Sequence, residues 1–178
     1  MSANPNRTDI RNRLAGYWKL ELANAVMIPA LAIFLTSTSH SELGWLSWLS
    51  FVPMSGLLVV GGLYWRGKLD ALEGRAARLG RVLAQADRWQ VPLAILSGAA
   101  FLAAIASWLD PGLSVSLADR ITASVCSTLA VLEYVNYYHR QLQHFDHLAD
   151  FRRLLAGRGF RPAQMAVDLR RFRAGMVK

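Results

Sequence analysis

At 178 residues the chain has the length of one domain. Hydrophobic residues make up 53% of it and charged residues only 18%, below the quarter or so typical of soluble proteins. The charges crowd into the two tails and one central loop, which excludes an ordinary soluble globule. The single cysteine, Cys126, excludes an internal disulfide framework and reads as a small buried hydrophobe within an apolar run.

Four apolar stretches follow a polar start, at 15–36, 43–64, 91–109 and 119–138. Each is close to the ~20 residues that a spanning helix requires, and in lipid a helix is the only open-ended way to satisfy the backbone. The first is too long for a signal-peptide core and lacks a small-residue cleavage pattern, so it is expected to remain as a span. A short polar turn, 37–42, joins the first two. Asp110, Pro111 and Gly112 stop the third, and Ser116 and Asp119 stand at capping-box spacing before the fourth. The expected fold is all-α: a polytopic membrane protein with four transmembrane helices in a single domain over 1–178. Amphipathic cytoplasmic helices from 67–90 and 139–178 would add a layer on one side.

Periodicity supports that layer. Leu69, Leu72, Leu79, Val82, Leu83 and Ala86 recur at helical spacing while Arg75, Arg78, Arg81 and Arg88 take other faces. From 119 to 156 the chain has neither proline nor glycine. It predicts one helix of about 55–60 Å at ~1.5 Å per residue, half of it beyond the bilayer. Its aqueous part would carry an apolar stripe of Leu142, Phe145, Leu148, Leu154 and Leu155. After a break at Gly157 and Gly159, Pro162 suits the first turn of a last short helix, with Met165, Leu169, Phe172 and Met176 on one side.

Orientation follows from the cations. Nineteen of the 20 lysines and arginines fall in the N-tail, the central loop or the C-terminal region, and only Arg120 falls on the other side. The positive-inside rule then puts both termini in the cytoplasm of a cell inner (plasma) membrane. Trp18, Trp65 and Trp89 at the inner ends, and Trp45, Trp48 and Trp108 at the outer ends, fit the interfacial preference of indole.

The fourth helix carries the densest chemistry. Glu133, Asn136, Tyr137 and Arg140 stand at i, i+3, i+4 and i+7, and the first helix brings Lys19, Glu21 and Asn24 to a similar depth. These seven residues are the candidate polar site within the membrane, where an ion, proton or lipid headgroup would meet the protein. The competing reading is an interhelical clamp in which Glu133 pairs with Arg140 or Lys19. His139, His144 and His147 lack metal-ligand spacing, so no metal and no cofactor is expected, and no catalytic motif occurs. Small residues Ala94, Gly98, Ala99, Ala103 and Ser107 suggest a close contact face on the third helix. Gly56, Gly61 and Gly62 suggest the same on the second. Pro29 and Pro53 should free backbone carbonyls in mid-span.

The net charge of +8 gathers on one side, where anionic lipid is the expected partner. Arg66, Lys68, Arg170, Arg171 and Arg173 are the headgroup candidates, and no nucleic acid is needed to explain them. The leading expectation is a non-catalytic membrane subunit that assembles with itself or with a larger partner. A second is one protomer of an oligomeric channel or carrier using the Glu21/Glu133 level. A third is an interfacial enzyme acting on a lipophilic substrate, with Glu133 as acid/base and His139 and Arg140 holding an anionic group.

Overall fold

A computed structural model describes residues 5–142 and 160–176. Among them the chain forms α1 (Pro5–Thr38), α2 (Trp45–Leu72), α3 (Ala76–Leu109), a 3-10 turn (Pro111–Leu113), α4 (Leu117–Tyr138) and α5 (Gln164–Arg173). Three of these helices, α1 to α3, are long and apolar enough to cross a bilayer. The fourth expected span, α4, has 22 residues. Asp119, Arg120 and Glu133, with several hydroxyl side chains, dilute its apolar character.

Central helix α2 packs against α1, α3 and α4, and α4 packs also against α3. Contacts fix the directions. Gly62 of α2 meets Leu22 and Trp18 of α1, and Gly56 and Gly67 meet Leu93 and Leu79 of α3, so both neighbours run antiparallel to α2. Ser47 of α2 bonds Asp119 of α4, and Gly61 further along meets Tyr137, so α2 and α4 run parallel. Antiparallel neighbours joined by short links make an up-down-up-down bundle.

Local chemistry explains the seams. Pro29 has no N–H to offer Ala25, four residues back, and the Ala25 carbonyl accepts from Ser55 Oγ of α2 at 2.8 Å. Gly44 heads α2 without a side-chain cap. Asp119 supplies one from another helix, accepting from the Ser47 N–H at 3.1 Å and the Ser47 hydroxyl at 2.6 Å. A Cβ on Gly44 would lie 2.7 Å from that carboxylate. Half of the expected capping box forms, because Ser116 Oγ accepts from Asp119 N–H at 3.0 Å while the Asp119 carboxylate turns to α2.

Several expectations are corrected. The central loop is not a separate helix: α2 extends to Leu72 and α3 begins at Ala76, so one hairpin carries the whole region. Leu83 and Ala86 are buried as anticipated. From Val91 onward the buried residues of α3 are Leu93, Ser97, Ala100, Ala104 and Ser107. Of the expected small-residue face Ser107 is therefore buried and Ala94, Gly98 and Ala103 are half-buried, but Ala99 is exposed and nothing lies within 4 Å of a Cβ on Gly98.

The helix expected over 119–156 ends at Tyr138. There Arg140 pairs in an isolated antiparallel bridge with Pro162. Gln141 N–H donates to the Arg161 carbonyl and Ala163 N–H to the His139 carbonyl. The stripe from Phe145 to Leu155, with His144 and His147, lies outside the described residues.

Candidate functional site

Glu21 on α1 and Glu133 on α4 are both half-buried, and Tyr137 between them is buried. The Tyr137 hydroxyl is fully enclosed and makes no hydrogen bond of regular geometry, yet both carboxyls lie close enough to interact with it. The two carboxyls and the phenol thus form one interacting group. The phenol ring reaches this position because position 61 of α2 has no side chain. A Cβ there would stand 2.2 Å from Tyr137 Cζ and Oη, far inside van der Waals contact.

Asn136, about one turn after Glu133, completes the arrangement. Its amide Nδ2 donates to Glu133 Oε2 at 3.2 Å, and its Oδ1 accepts from the Leu142 N–H at 2.9 Å. One carboxamide thus orients the acid and caps the turn that ends α4. Below it a cavity of about 30 Å³ is lined by Glu21, Tyr64, Trp65, Asn136, Tyr137, Gln141, Gln164 and Met165. That volume is in the range that holds a water-sized guest, and residues of α5 form part of its wall.

Of the seven residues expected to converge, Glu21, Glu133, Asn136 and Tyr137 meet. Lys19 and Asn24 are exposed on other faces of α1, and Lys19 lies 5.9 Å from the Trp18 ring. Arg140 leaves the face because the helix stops before it. Its Nη1 donates to the Phe160 carbonyl at 3.1 Å. The clamp in which Lys19 or Arg140 neutralises Glu133 is not formed. Among the described residues no cation pairs with either carboxyl. No group of metal-ligating side chains occurs among them. His139 and Arg140 line a different cavity from the one beside Glu21.

No known protein family, curated protein or solved structure matches the chain.

The headgroup candidates have unequal surroundings. Lys68 Nζ donates to Asp168 Oδ2 at 2.9 Å. Arg66 stacks 4.8 Å from the Trp18 ring and lies 3.7 Å from Asp70. Arg173 pairs with Asp87. Arg170 bonds only a carbonyl of its own helix, and Arg171 is exposed.

Sequence reasoning passed over two acids, Asp70 and Asp168, and the role of Asp119 toward α2. Asp70, fully buried, binds Arg75 at 2.5 Å and Arg78 at 3.0 Å, closing the α2–α3 hairpin. Asp168 accepts from the Tyr64 hydroxyl at 2.8 Å and so seats α5 on the bundle. Asp119 caps α2. The signal for Asp70 was present, since a lone acid inside the apolar repeat Leu69–Leu72 demands a cation. Nothing local marks Asp168, or Asp119 as the cap of α2, since the partners are 104 and 72 residues away.

Proposed function

We propose that the chain is a non-catalytic integral membrane protein of four spans with both termini cytoplasmic. It binds and passes a proton or small cation at the Glu21–Tyr137–Glu133 level, as one protomer of an oligomeric channel or carrier. One observation carries this reading: two carboxyls from different helices meet at a buried phenol, and among the described residues no cation pairs with either. Ionisable groups inside a span are costly and occur where they serve a pathway or find a partner. Like charges facing one another repel strongly away from water, and a proton or cation taken up between them relieves that repulsion. The small cavity at Glu21 offers room for a water-sized guest beside the carboxyl level.

Support for α4 as the fourth span comes from its packing. Its contacts with α2 run from Ser47 to Gly61, about 21 Å at ~1.5 Å per residue, most of a bilayer's ~30 Å core. The N-tail, the hairpin and α5 then share one side, and so do nearly all the cations.

The test is flux in proteoliposomes. Wild-type protein should dissipate an imposed proton or monovalent-cation gradient, and Glu133→Gln should abolish this. No flux in wild type, or the same flux in the variant, refutes the reading. A structural subunit is the second reading, favoured by α1, which packs mainly on α2 and exposes Val26, Met27, Leu31 and Phe34. Crosslinking in membranes that captures only monomers would remove it, and the oligomer with it.

The enzyme reading has less support, because its acid and its anion-binding residues do not share a cavity.

A further inference from the structure

A second cavity, of about 350 Å³, lies where α3, the end of α4 and α5 come together. Its lining includes Gln90, His139, Arg140, Arg170 and Arg173, with Tyr138 and Leu169 among the rest, and among the described residues no acidic side chain. Three guanidinium groups therefore approach one space from two separate parts of the chain. The antiparallel bridge between Arg140 and Pro162 brings them together, so the feature exists only because α4 stops at Tyr138.

How each arginine is held matters. Arg140 donates to the Phe160 carbonyl at 3.1 Å and Arg170 to the Ala166 carbonyl at 3.3 Å. A carbonyl orients a guanidinium without neutralising it. Arg173 is different: it pairs with Asp87 and donates to Gln90 Oε1 at 2.5 Å, which fixes the wall. Asp87 offsets one charge of the three. The remaining positive charge faces a concave space of a size typical for small ligands.

We infer that Arg140, Arg170 and Arg173, with His139 and Gln90, form a binding site for a phosphate-bearing anion. Guanidinium forks match phosphate oxygens with paired, charge-assisted hydrogen bonds, which a lone ammonium cannot reproduce. A concave space of this size, open on one side, takes one phosphate and its ester substituent. Its position beside Trp89 and Tyr138, at the end of the bundle, suits a lipid phosphate or a soluble phosphate ester equally. The ligand would bridge the end of α4 to α5. The inference is independent of the carboxyl site, because the two share no residue.

The test is calorimetric titration of the full chain in detergent with inorganic phosphate and, separately, short-chain phosphatidic acid. Saturable binding of at least one is expected. Tighter binding of the lipid assigns a headgroup, and equal or tighter binding of inorganic phosphate assigns a soluble ester. The double variant Arg140→Gln/Arg170→Gln should weaken binding by about tenfold or more, the scale of losing one charge-assisted bond. The control pair Arg81→Gln/Arg88→Gln removes the same charge from exposed positions of α3 and should bind as wild type does. The single variant Arg170→Gln, whose only bond here is within its own helix, guards against misfolding of the double variant and should also weaken binding. No saturable binding in wild type, an equal loss in the control pair, or full affinity in Arg170→Gln and the double variant overturns the proposal.

Discussion

Gly61 and Tyr137 show how one missing methyl group sets the candidate site. The phenol occupies the space a side chain at position 61 would take. Gly61→Ala should therefore displace Tyr137 from between Glu21 and Glu133, since overpacking a core costs about 1–3 kcal/mol. We expect a lower thermal midpoint in detergent and loss of any flux. Gly98→Ala, with nothing within 4 Å of its new Cβ, should be neutral or slightly stabilising. Equal midpoints for the two variants would contradict this account. The i, i+3, i+4 spacing of Glu133, Asn136 and Tyr137 was legible because it depends only on helical geometry. Arg140 was misplaced because its position depends on where the helix ends. No proline or glycine marks that end. Asn136 and the pairing with Pro162, some twenty residues on, create it.

At the scale of elements, α5 is held by a mixture of apolar and polar contacts. Met165 and Leu169 are buried, as their spacing predicts. Tyr64 and Lys68 converge on Asp168, and Met176, beyond the helix end, is exposed. Asp168→Asn removes the charge that both donors share. A hydrogen bond to a charged group contributes about 1.5–3 kcal/mol, so the variant should speed amide exchange over 164–173 while α1 to α4 stay protected. Exchange that accelerates throughout the bundle would show that Asp168 supports the whole fold instead. The basic residues teach a related lesson. Arg75, Arg78 and Lys68 look like surface charge in the sequence, yet each neutralises a buried acid. A charged residue's partner is set by tertiary contact, and composition alone cannot distinguish lipid from Asp70.

For the whole molecule, the proposed orientation makes a direct prediction. A cysteine at Ser39→Cys, in the turn after α1, should react with a membrane-impermeant maleimide in intact cells. One at Ala77→Cys, exposed at the start of α3, should react only after lysis, and the native Cys126 is buried. The opposite pattern would invert the topology and move the carboxyl pair to the other leaflet.

The amino-acid sequence determined by itself that long apolar helices dominate this protein and that its cations cluster along the chain. Lipid forces backbone groups into helices and permits few charges, so composition alone carries that information. Only the tertiary structure decided which polar groups meet. Meeting depends on the rotation of each helix about its axis, on which side chain takes the space beside Gly61, and on where α4 ends. Contacts between residues far apart in the chain set all three, and no local pattern encodes them.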